Sequence, residues 1–239
     1  ICACLVGSEM CIRDRFSGLD LTACRGQIIG VTGPVACGKS TLGKAFLCEL
    51  PYTGSIQYGG REMAGMTDAE RCGVVGYLGH DPELLSDSIR NNILLGRDDD
   101  AWKYLRAVCL EDEVKAMPNG LDTRVGDGGV RLSGGQQQRL ALARTLAHPR
   151  PLLVLDDPFS ALDRKTEEQV FANLRKMTAG STVLLISHRL YLFPQMDGVL
   201  WIQDGKAVCA AHKELMAQNP QYAALVNAQE GGEQDEPKK

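Results

Sequence analysis

The chain has 239 residues, enough for one large domain or two small ones with a sizeable core. Its formal net charge of -4, without a cluster of Lys or Arg, argues against nucleic acid as a main partner. The longest apolar runs have the length of strands, so the sequence offers no transmembrane segment, and a membrane role would need a missing part or a partner. Nine cysteines without a C-x-x-C pair indicate reduced cytosolic thiols rather than a disulfide framework.

The amino-terminal residues 1–15 fit neither a signal peptide nor a strand pattern that joins the segment after Phe16. Glu9 to Arg15 resembles the conceptual translation of a transposase end sequence used in preparing sequencing libraries. We therefore expect residues 1–15 to be a sequencing artefact or non-native leader, and the biological chain to be truncated before Phe16. A genuine variable leader is the alternative.

A phosphate-binding loop lies between the apolar run Ile28 to Val31 and a set of apolar residues at helical spacing. A strand that enters such a loop and leaves it as a helix directs backbone N–H groups and the positive end of the helix dipole at one point. We expect Lys39 to reach the β and γ phosphate oxygens, and the Ser40 hydroxyl to bind Mg²⁺. The predicted loop is Gly33, Pro34, Val35, Ala36, Cys37, Gly38, Lys39, Ser40 and Thr41.

Strands and helices alternate along the remaining chain. The helix after the loop is predicted to run to about Leu50, where Pro51 stops it. Residues 53–60 predict a strand and turn of a small antiparallel layer, and residues 81–148 a mostly helical region. The polar tail 229–239 is predicted to be disordered and acidic. This alternation favours an open α/β sheet.

Two apolar runs without alternation are typical of parallel strands covered on both faces. Leu152 to Leu155 delivers Asp156 and Asp157, and Thr182 to Ile186 delivers His188. Ligands of such sheets bind at the carboxyl ends of the strands. Asp156 is expected to hold Mg²⁺ through water, with a plain helix cap as the alternative.

Five motifs, which follow one another in the family's order along about residues 16–228, resemble the nucleotide-binding domain of an ATP-binding cassette (ABC) transporter. Gly33 to Thr41 matches the Walker A motif, and residues 152–156 match Walker B. Residues 160–163, ending in Asp163, match the D-loop, and His188 matches the switch histidine. The family signature LSGGQ is matched by Leu132, Ser133, Gly134, Gly135 and Gln136.

The resemblance implies the fold, ligands and partners. It implies a RecA-like P-loop NTPase core with a small antiparallel β layer and an inserted α-helical subdomain, binding ATP and Mg²⁺. In the family, two such domains sandwich two ATP molecules, and each signature faces the nucleotide of the partner. His188 would contact the γ-phosphate and the attacking water, and Asp163 would set geometry across the dimer interface.

Two residues depart from the family pattern. Asp157 stands where a glutamate usually polarises the attacking water, and its carboxylate would stop roughly 1–1.5 Å short, a misplacement that costs on the order of a hundredfold in rate. His80 stands at the Q-loop glutamine, where it is a candidate catalytic and metal-binding residue. With the intact signature, this pattern resembles the half of a heterodimeric exporter whose own site is weakened.

An exporter is favoured by two further segments. Thr123 to Gly129 resembles the exporter TxVGExG loop, which touches the intracellular ends of transmembrane helices, with Asp127 in place of Glu. Ser86 to Ile93 resembles the S-x-x-x-E-N-I pattern, with Asn91 at the Glu position. In exporters the transmembrane part usually precedes this domain in one polypeptide, so we expect it upstream, with this domain at the cytoplasmic face of a membrane. The alternatives are a soluble ABC ATPase and a non-hydrolysing nucleotide switch.

Overall fold

The structure is a computed structural model that describes residues 5–12 and 16–232. Within these residues ten strands form one mixed sheet, in the order β5-β4-β1-β2-β10-β9-β3-β8-β7-β6. The strands are β1 Leu5–Ile12, β2 Phe16–Ala23, β3 Ile28–Thr32, β4 Tyr52–Tyr58, β5 Arg61–Glu62, β6 Val75–Leu78, β7 Leu152–Asp156, β8 Thr182–Ile186, β9 Gly198–Gln203 and β10 Lys206–Ala210.

The helices surround this sheet. They are α1 Lys39–Phe46, α2 Asp68–Val74, α3 Ile89–Leu94, α4 Ala101–Ala107, α5 Glu111–Lys115, α6 Gly134–Ala147, α7 Arg164–Met177, α8 His212–Gln218 and α9 Pro220–Gly232. Short 3-10 helices span Met63–Gly65, Gly120–Asp122 and Leu190–Gln195. In the part of the chain that the structure describes, no helix is both long enough and apolar enough to span a bilayer.

The centre of the sheet is parallel, with β8 between β3 and β7 and β6 beyond β7. Every residue of β3, β7 and β8 is buried, because helices cover both faces and the strands are rich in Val, Ile and Leu. The predicted α/β class is therefore confirmed. The carboxyl ends of these strands meet at one edge, where ligands of such sheets bind.

An antiparallel layer extends the other side of the sheet. In it, β1 pairs with both β2 and β4, and β5 continues beyond β4. The expectation that residues 1–15 hold no joining strand is wrong for Leu5–Ile12. This strand is stabilised by backbone pairing with strands on both of its sides and by the full burial of Leu5. The pattern of apolar residues alone did not predict it. Residues 1–4 and 13–15 lie outside the described chain.

Helices α3 to α6 form the inserted helical part. They lie within residues 81–148, where the sequence predicts a mostly helical region. Apolar side chains from these helices, such as Ile93, Leu105 and Leu140, pack in one buried core together with side chains from one face of the sheet. This packing fixes the start of α6 relative to the strand ends.

Two predicted boundaries are wrong. Helix α1 ends at Phe46 rather than near Leu50, since Cys48 adopts a left-handed φ of 57° and its N–H caps the carbonyl of Ala45, so Pro51 does not end the helix. The tail was predicted to be disordered from residue 229, but α9 continues to Gly232. Its packing against the sheet outweighs its polar composition, and residues 233–239 lie outside the described chain.

Candidate functional site

The phosphate loop joins β3 to α1 in a conformation that brings its backbone close to its neighbours. Gly38 has a φ of 103° and Ala36 a φ of 65°, both in the left-handed region. A Cβ at Gly33 would lie 2.1 Å from the carbonyl oxygen of Ile202 on β9, so only glycine fits there. Gly38 caps α1 without a side chain, which leaves the first-turn N–H groups available to an anion.

Lys39 begins α1 and is buried beneath the loop. Its Nζ donates to the carbonyl oxygens of Gly33, at 2.9 Å, and Pro34, at 2.8 Å. The Cys37 thiol lies 3.6 Å from the same ammonium. The structure therefore holds the lysine charge within the turn of the loop.

A cavity of about 210 Å³ opens over the loop. It is lined by Val35, Ala36, Gly38, Lys39, Ser40, Thr41 and His188. His188 reaches it because β8 is the parallel neighbour of β3, and Val31 pairs with Ile186. The structure thus brings the switch histidine and the phosphate loop to one pocket, as predicted.

Asp156 and Asp157 reach the same edge from β7. Asp156 pairs with Ile186 on β8, is only 5% exposed, and lies close to the Tyr77 hydroxyl. Burial, together with this carboxylate, raises the pKa of Tyr77 to about 12. Asp157 turns out of the strand with a left-handed φ of 50°, and its N–H donates to the Ile186 carbonyl at 2.9 Å.

Five ionisable side chains meet at this edge: Lys39, His80, Asp156, Asp157 and His188. Burial raises the pKa of Asp157, although His188, His80 and Arg189 oppose that shift. Burial, followed by the charge of Lys39, lowers the pKa of His188. The imidazole is therefore held in its neutral form near pH 7, in which it can both accept and donate a hydrogen bond.

The two departures from the family pattern face each other. The Nδ1 atom of His80 lies 3.9 Å from Oδ2 of Asp157. The His80 side chain is 56% exposed and that of Asp157 is 16% exposed. Both groups lie close enough to His188 for their charges to shift its pKa, with Asp157 raising it and His80 lowering it.

The oxygen donors at this edge suit Mg²⁺. Ser40 offers a hydroxyl on the cavity wall and Asp156 a carboxylate, the ligand types that this hard cation prefers. Across the described residues, no group of three or more His, Cys, Asp or Glu side chains could hold a metal ion. Few protein ligands are typical of Mg²⁺ that binds together with nucleotide phosphates.

The signature residues start α6 on the surface, and none of them lines the cavity over Lys39. The Ser133 hydroxyl caps the helix by accepting a hydrogen bond from the N–H of Gln136. The side-chain oxygen of Gln136 in turn accepts from the N–H of Ser133, which completes a capping box. Leu132 is buried, whereas Ser133 and Gly134 are exposed. A Cβ at Gly135 would lie 3.0 Å from the Ala161 carbonyl, so this turn packs directly on the D-loop.

Asp163 ends the D-loop as the cap of α7. It accepts from the N–H of Thr166 at 3.0 Å, and its contacts with the Thr166 side chain and backbone lower its pKa. The side chain is exposed on the protein surface. A capping role is therefore present in the single chain, and any contact across a dimer would be additional.

A buried group that the sequence analysis missed links the D-loop to the switch histidine. Arg189 donates to the carbonyl oxygens of Ser160, at 2.9 Å, and Leu162, at 2.7 Å, and forms an ion pair with Glu167. Tyr191 donates to the same carboxylate. Burial raises the pKa of Glu167, which is fully shielded from water.

One signal for this group was present in the sequence. Glu167 stands three, four and seven residues before Val170, Phe171 and Leu174, on the buried stripe of α7. A carboxylate at such a position requires a partner. The partner itself was not evident, because Arg189 comes from a distant part of the chain.

The two exporter-like segments pack on each other. The N–H of Ile89 donates to the Thr123 carbonyl at 3.0 Å, and that of Asp127 to Ser86 Oγ at 3.1 Å. A Cβ at Gly126 would lie 2.9 Å from Ser86 Cα, so the contact requires glycine. Beside them a cavity of about 700 Å³ is lined by Pro82, Glu83, Leu84, Gly126, Asp127, Gly128, Val130, Arg131, Leu132 and Gln137.

Comparison with known proteins gives consistent relatives. The chain is 34% identical over 232 residues to the "Probable multidrug resistance ABC transporter ATP-binding/permease protein YheI" of Bacillus subtilis, covering 92% of this chain and 40% of that protein. It is 36% identical over 218 residues to the "ATP-dependent lipid A-core flippase" of Burkholderia pseudomallei, covering 89% and 37%. The chain thus spans less than half the length of these relatives.

A solved structure agrees with the fold. The structure of a bacterial Atm1-family ABC exporter with ATP bound superposes with a TM-score of 0.88 and 28% identity, covering 96% of this chain and 42% of that one. The sequence profile of the family described as "ABC transporter" matches residues 16–160. With the phosphate loop, the paired carboxylates and the switch histidine at one edge of the sheet, the chain belongs to the ABC transporter family.

Proposed function

We propose that this chain is the ATP-binding and ATP-hydrolysing domain of an ABC exporter, which powers transmembrane transport through nucleotide-driven dimerisation. The observation that carries the proposal is the single cavity in which the phosphate loop meets His188, with Asp156 and Asp157 at its edge. The relatives named above are exporters, which does not favour a soluble ABC ATPase.

Each residue has a role in this proposal. The loop N–H groups and Lys39 bind the phosphates, while His188 orients the γ-phosphate and the attacking water. Ser40 and Asp156 would hold Mg²⁺, which neutralises charge on the phosphoryl group being transferred. We propose that His80 acts on Asp157 rather than binding the metal. An imidazole nitrogen is a poor ligand for Mg²⁺, and the His80 side chain already faces the Asp157 carboxylate.

A second nucleotide-binding domain is the proposed partner. The exposed turn at Ser133 and Gly134 offers backbone N–H groups and a hydroxyl to an anion outside the chain. In the proposed dimer this turn meets the γ-phosphate bound to the partner, and Asp163 lies at the interface. ATP therefore joins the two domains, and its hydrolysis separates them.

The proposed site of this chain is weakened, as in one half of a heterodimeric exporter. Asp157 places its carboxylate roughly 1.5 Å short of a glutamate, while the signature turn is intact and exposed. The chain would therefore hydrolyse its own ATP slowly and complete the active site of its partner. A homodimer that hydrolyses ATP at ordinary family rates, unchanged by Asp157→Glu, would contradict this assignment.

The joined segments 86–93 and 123–129 form the proposed contact with the transmembrane part. Leu85 is 50% exposed and Val130 is 49% exposed beside the cavity of about 700 Å³. Exposed apolar side chains directly next to each of the two segments suit the end of an apolar helix. These exposed side chains support the proposal that the domain lies at the cytoplasmic face of a membrane and that transmembrane helices are encoded upstream of it.

Nucleotide assays with two variants test the proposal. Lys39→Met should abolish ATP binding, whereas Ser133→Arg should leave ATP binding intact and abolish the faster hydrolysis at the partner's site. Fast hydrolysis that survives Ser133→Arg would contradict the two-domain site. A wild-type protein that binds ATP without turnover, alone and with any partner encoded beside it, would favour the non-hydrolysing switch. Six membrane-spanning runs in the upstream coding sequence would support an exporter.

A further inference from the structure

The backbone segment that carries His188 is hydrogen-bonded to a side chain of helix α9. Gln229 on α9 uses both ends of its side-chain amide: Nε2 donates to the carbonyl oxygen of His188 at 2.7 Å, and Oε1 accepts from the N–H of Leu190 at 2.9 Å. The two bonds flank Arg189. One side chain thus ties the backbone on both sides of the residue next to the switch histidine.

Helix α9 is fixed by contacts that do not involve this segment. Tyr222 is fully buried, and Val226 is only 3% exposed. The Tyr222 ring packs edge to face on Trp201 of β9, with centroids 5.4 Å apart, and its hydroxyl lies 2.8 Å from His212 Nδ1. Gln229 therefore extends from a packed helix and can hold the switch segment in place.

The other attachments of the switch segment come from the catalytic core. The N–H of Arg189 donates to Ser187 Oγ at 3.0 Å, and its guanidinium holds the carbonyl oxygens of the D-loop. The N–H of Ser187 still donates to the Val31 carbonyl of β3, and beyond this bond the chain leaves the sheet, so the strand no longer fixes its backbone. Gln229 supplies two backbone contacts where the ladder of β8 has stopped.

We propose that Gln229 is a positioning residue that sets how His188 is presented to the γ-phosphate, so that the docking of α9 controls ATP turnover. The inference rests on the proposed function of His188. Loss of the amide frees the His188 carbonyl and the Leu190 N–H, and the imidazole then samples positions away from the cavity. A misplacement of about 1 Å at a reacting group costs up to a hundredfold in rate.

The test compares Gln229→Met with Asn227→Ala in the complete protein. Gln229→Met keeps the length of the side chain and removes both hydrogen bonds, while Asn227 is an exposed residue of the same helix and serves as the control. Three quantities are measured: amide hydrogen exchange at Leu190, the ratio of ATP to ADP affinity, and kcat against KM for ATP.

For Gln229→Met we expect faster exchange at Leu190, a several-fold lower preference for ATP over ADP, and a kcat reduced about tenfold with KM changed less than about threefold. Asn227→Ala should match the wild type in all three. If α9 itself loses protection in Gln229→Met, Gln229→Glu replaces it, since that side chain still accepts from Leu190 and cannot donate to His188.

The outcomes separate this inference from the proposed function. A wild-type protein without turnover would refute ATP hydrolysis, while the ATP to ADP ratio would still report on the contact with the γ-phosphate. Unchanged exchange at Leu190 would overturn the inference. Faster exchange with the ATP preference of the wild type would overturn it as well, because the loosened segment would then not affect His188.

Discussion

Lengthening Asp157 to Glu should raise the rate of ATP hydrolysis if the short carboxylate weakens the site, as proposed. The side chain of Asp157 is 16% exposed and lies close enough to Asp156 and His188 for their charges to shift its pKa. One methylene extends the carboxylate by roughly 1.5 Å. A misplacement of that size costs on the order of a hundredfold in rate, equivalent to about 2.7 kcal/mol of transition-state stabilisation.

His80 limits how much of this gain Asp157→Glu can deliver. Its Nδ1 atom lies 3.9 Å from Asp157 Oδ2, so a longer carboxylate directed toward it would approach closer than the ~2.7 Å of a charge-assisted hydrogen bond. The imidazole must then turn outward, which its 56% exposure permits. We expect a rise in kcat of about tenfold for Asp157→Glu, and of up to about a hundredfold when His80→Gln is added.

The backbone imposes a separate cost that a matched control can measure. Asp157 has a φ of 50°, a conformation that Asp tolerates better than Glu, so the substitution should lower stability by up to about 1 kcal/mol. Asp204 has a φ of 49° in an exposed turn. Asp204→Glu should therefore show a similar loss of stability without any change in turnover.

Phosphate release at saturating ATP is the assay, with urea unfolding of the same variants beside it. The KM for ATP should change little, because the carboxylate acts on the attacking water rather than on the bound phosphates. If Asp157→Glu and the double variant both turn over ATP at the wild-type rate, the short side chain is not what limits this site.

Three other substitutions or modifications have outcomes that the structure predicts. Alkylation of Cys37, whose thiol lies 3.6 Å from the Lys39 ammonium, should lower ATP affinity more than tenfold. The Cys37→Ala variant should keep its ATP affinity after the same treatment, and bound ATP should protect the wild-type thiol from alkylation. Alkylation that ATP does not slow would argue against this loop as the ATP site. Gly33→Ala should destabilise the protein by about 1–3 kcal/mol in urea unfolding, because its Cβ would lie 2.1 Å from the Ile202 carbonyl; wild-type stability would mean that the loop has room to shift. Glu167→Ala should cost about 2–4 kcal/mol in the same measurement, because it leaves Arg189 without its carboxylate, whereas a cost below 1 kcal/mol would show that water replaces that partner.

The sequence predicted those parts of the site that are contiguous in the chain. The phosphate loop and the signature turn each consist of neighbouring residues, so their chemistry is visible in short motifs. Strand β1 was missed because its partners on both sides supply its order, and the apolar pattern of Leu5–Ile12 is weak. Gln229 was assigned to a tail because its composition is polar, although its two hydrogen bonds reach residues 188 and 190.

The register of the sheet explains why the two departures from the family pattern form one unit. Leu78 of β6 pairs with Leu155 of β7 as parallel neighbours, so His80 and Asp157 each lie two residues beyond the paired position. Residues at equal distance beyond paired parallel positions lie side by side at the edge of the sheet. A change at residue 80 therefore alters the surroundings of the carboxylate at residue 157. We therefore expect ATP turnover to depend on both side chains together, so that changing only one of them to the family residue should raise the rate less than changing both.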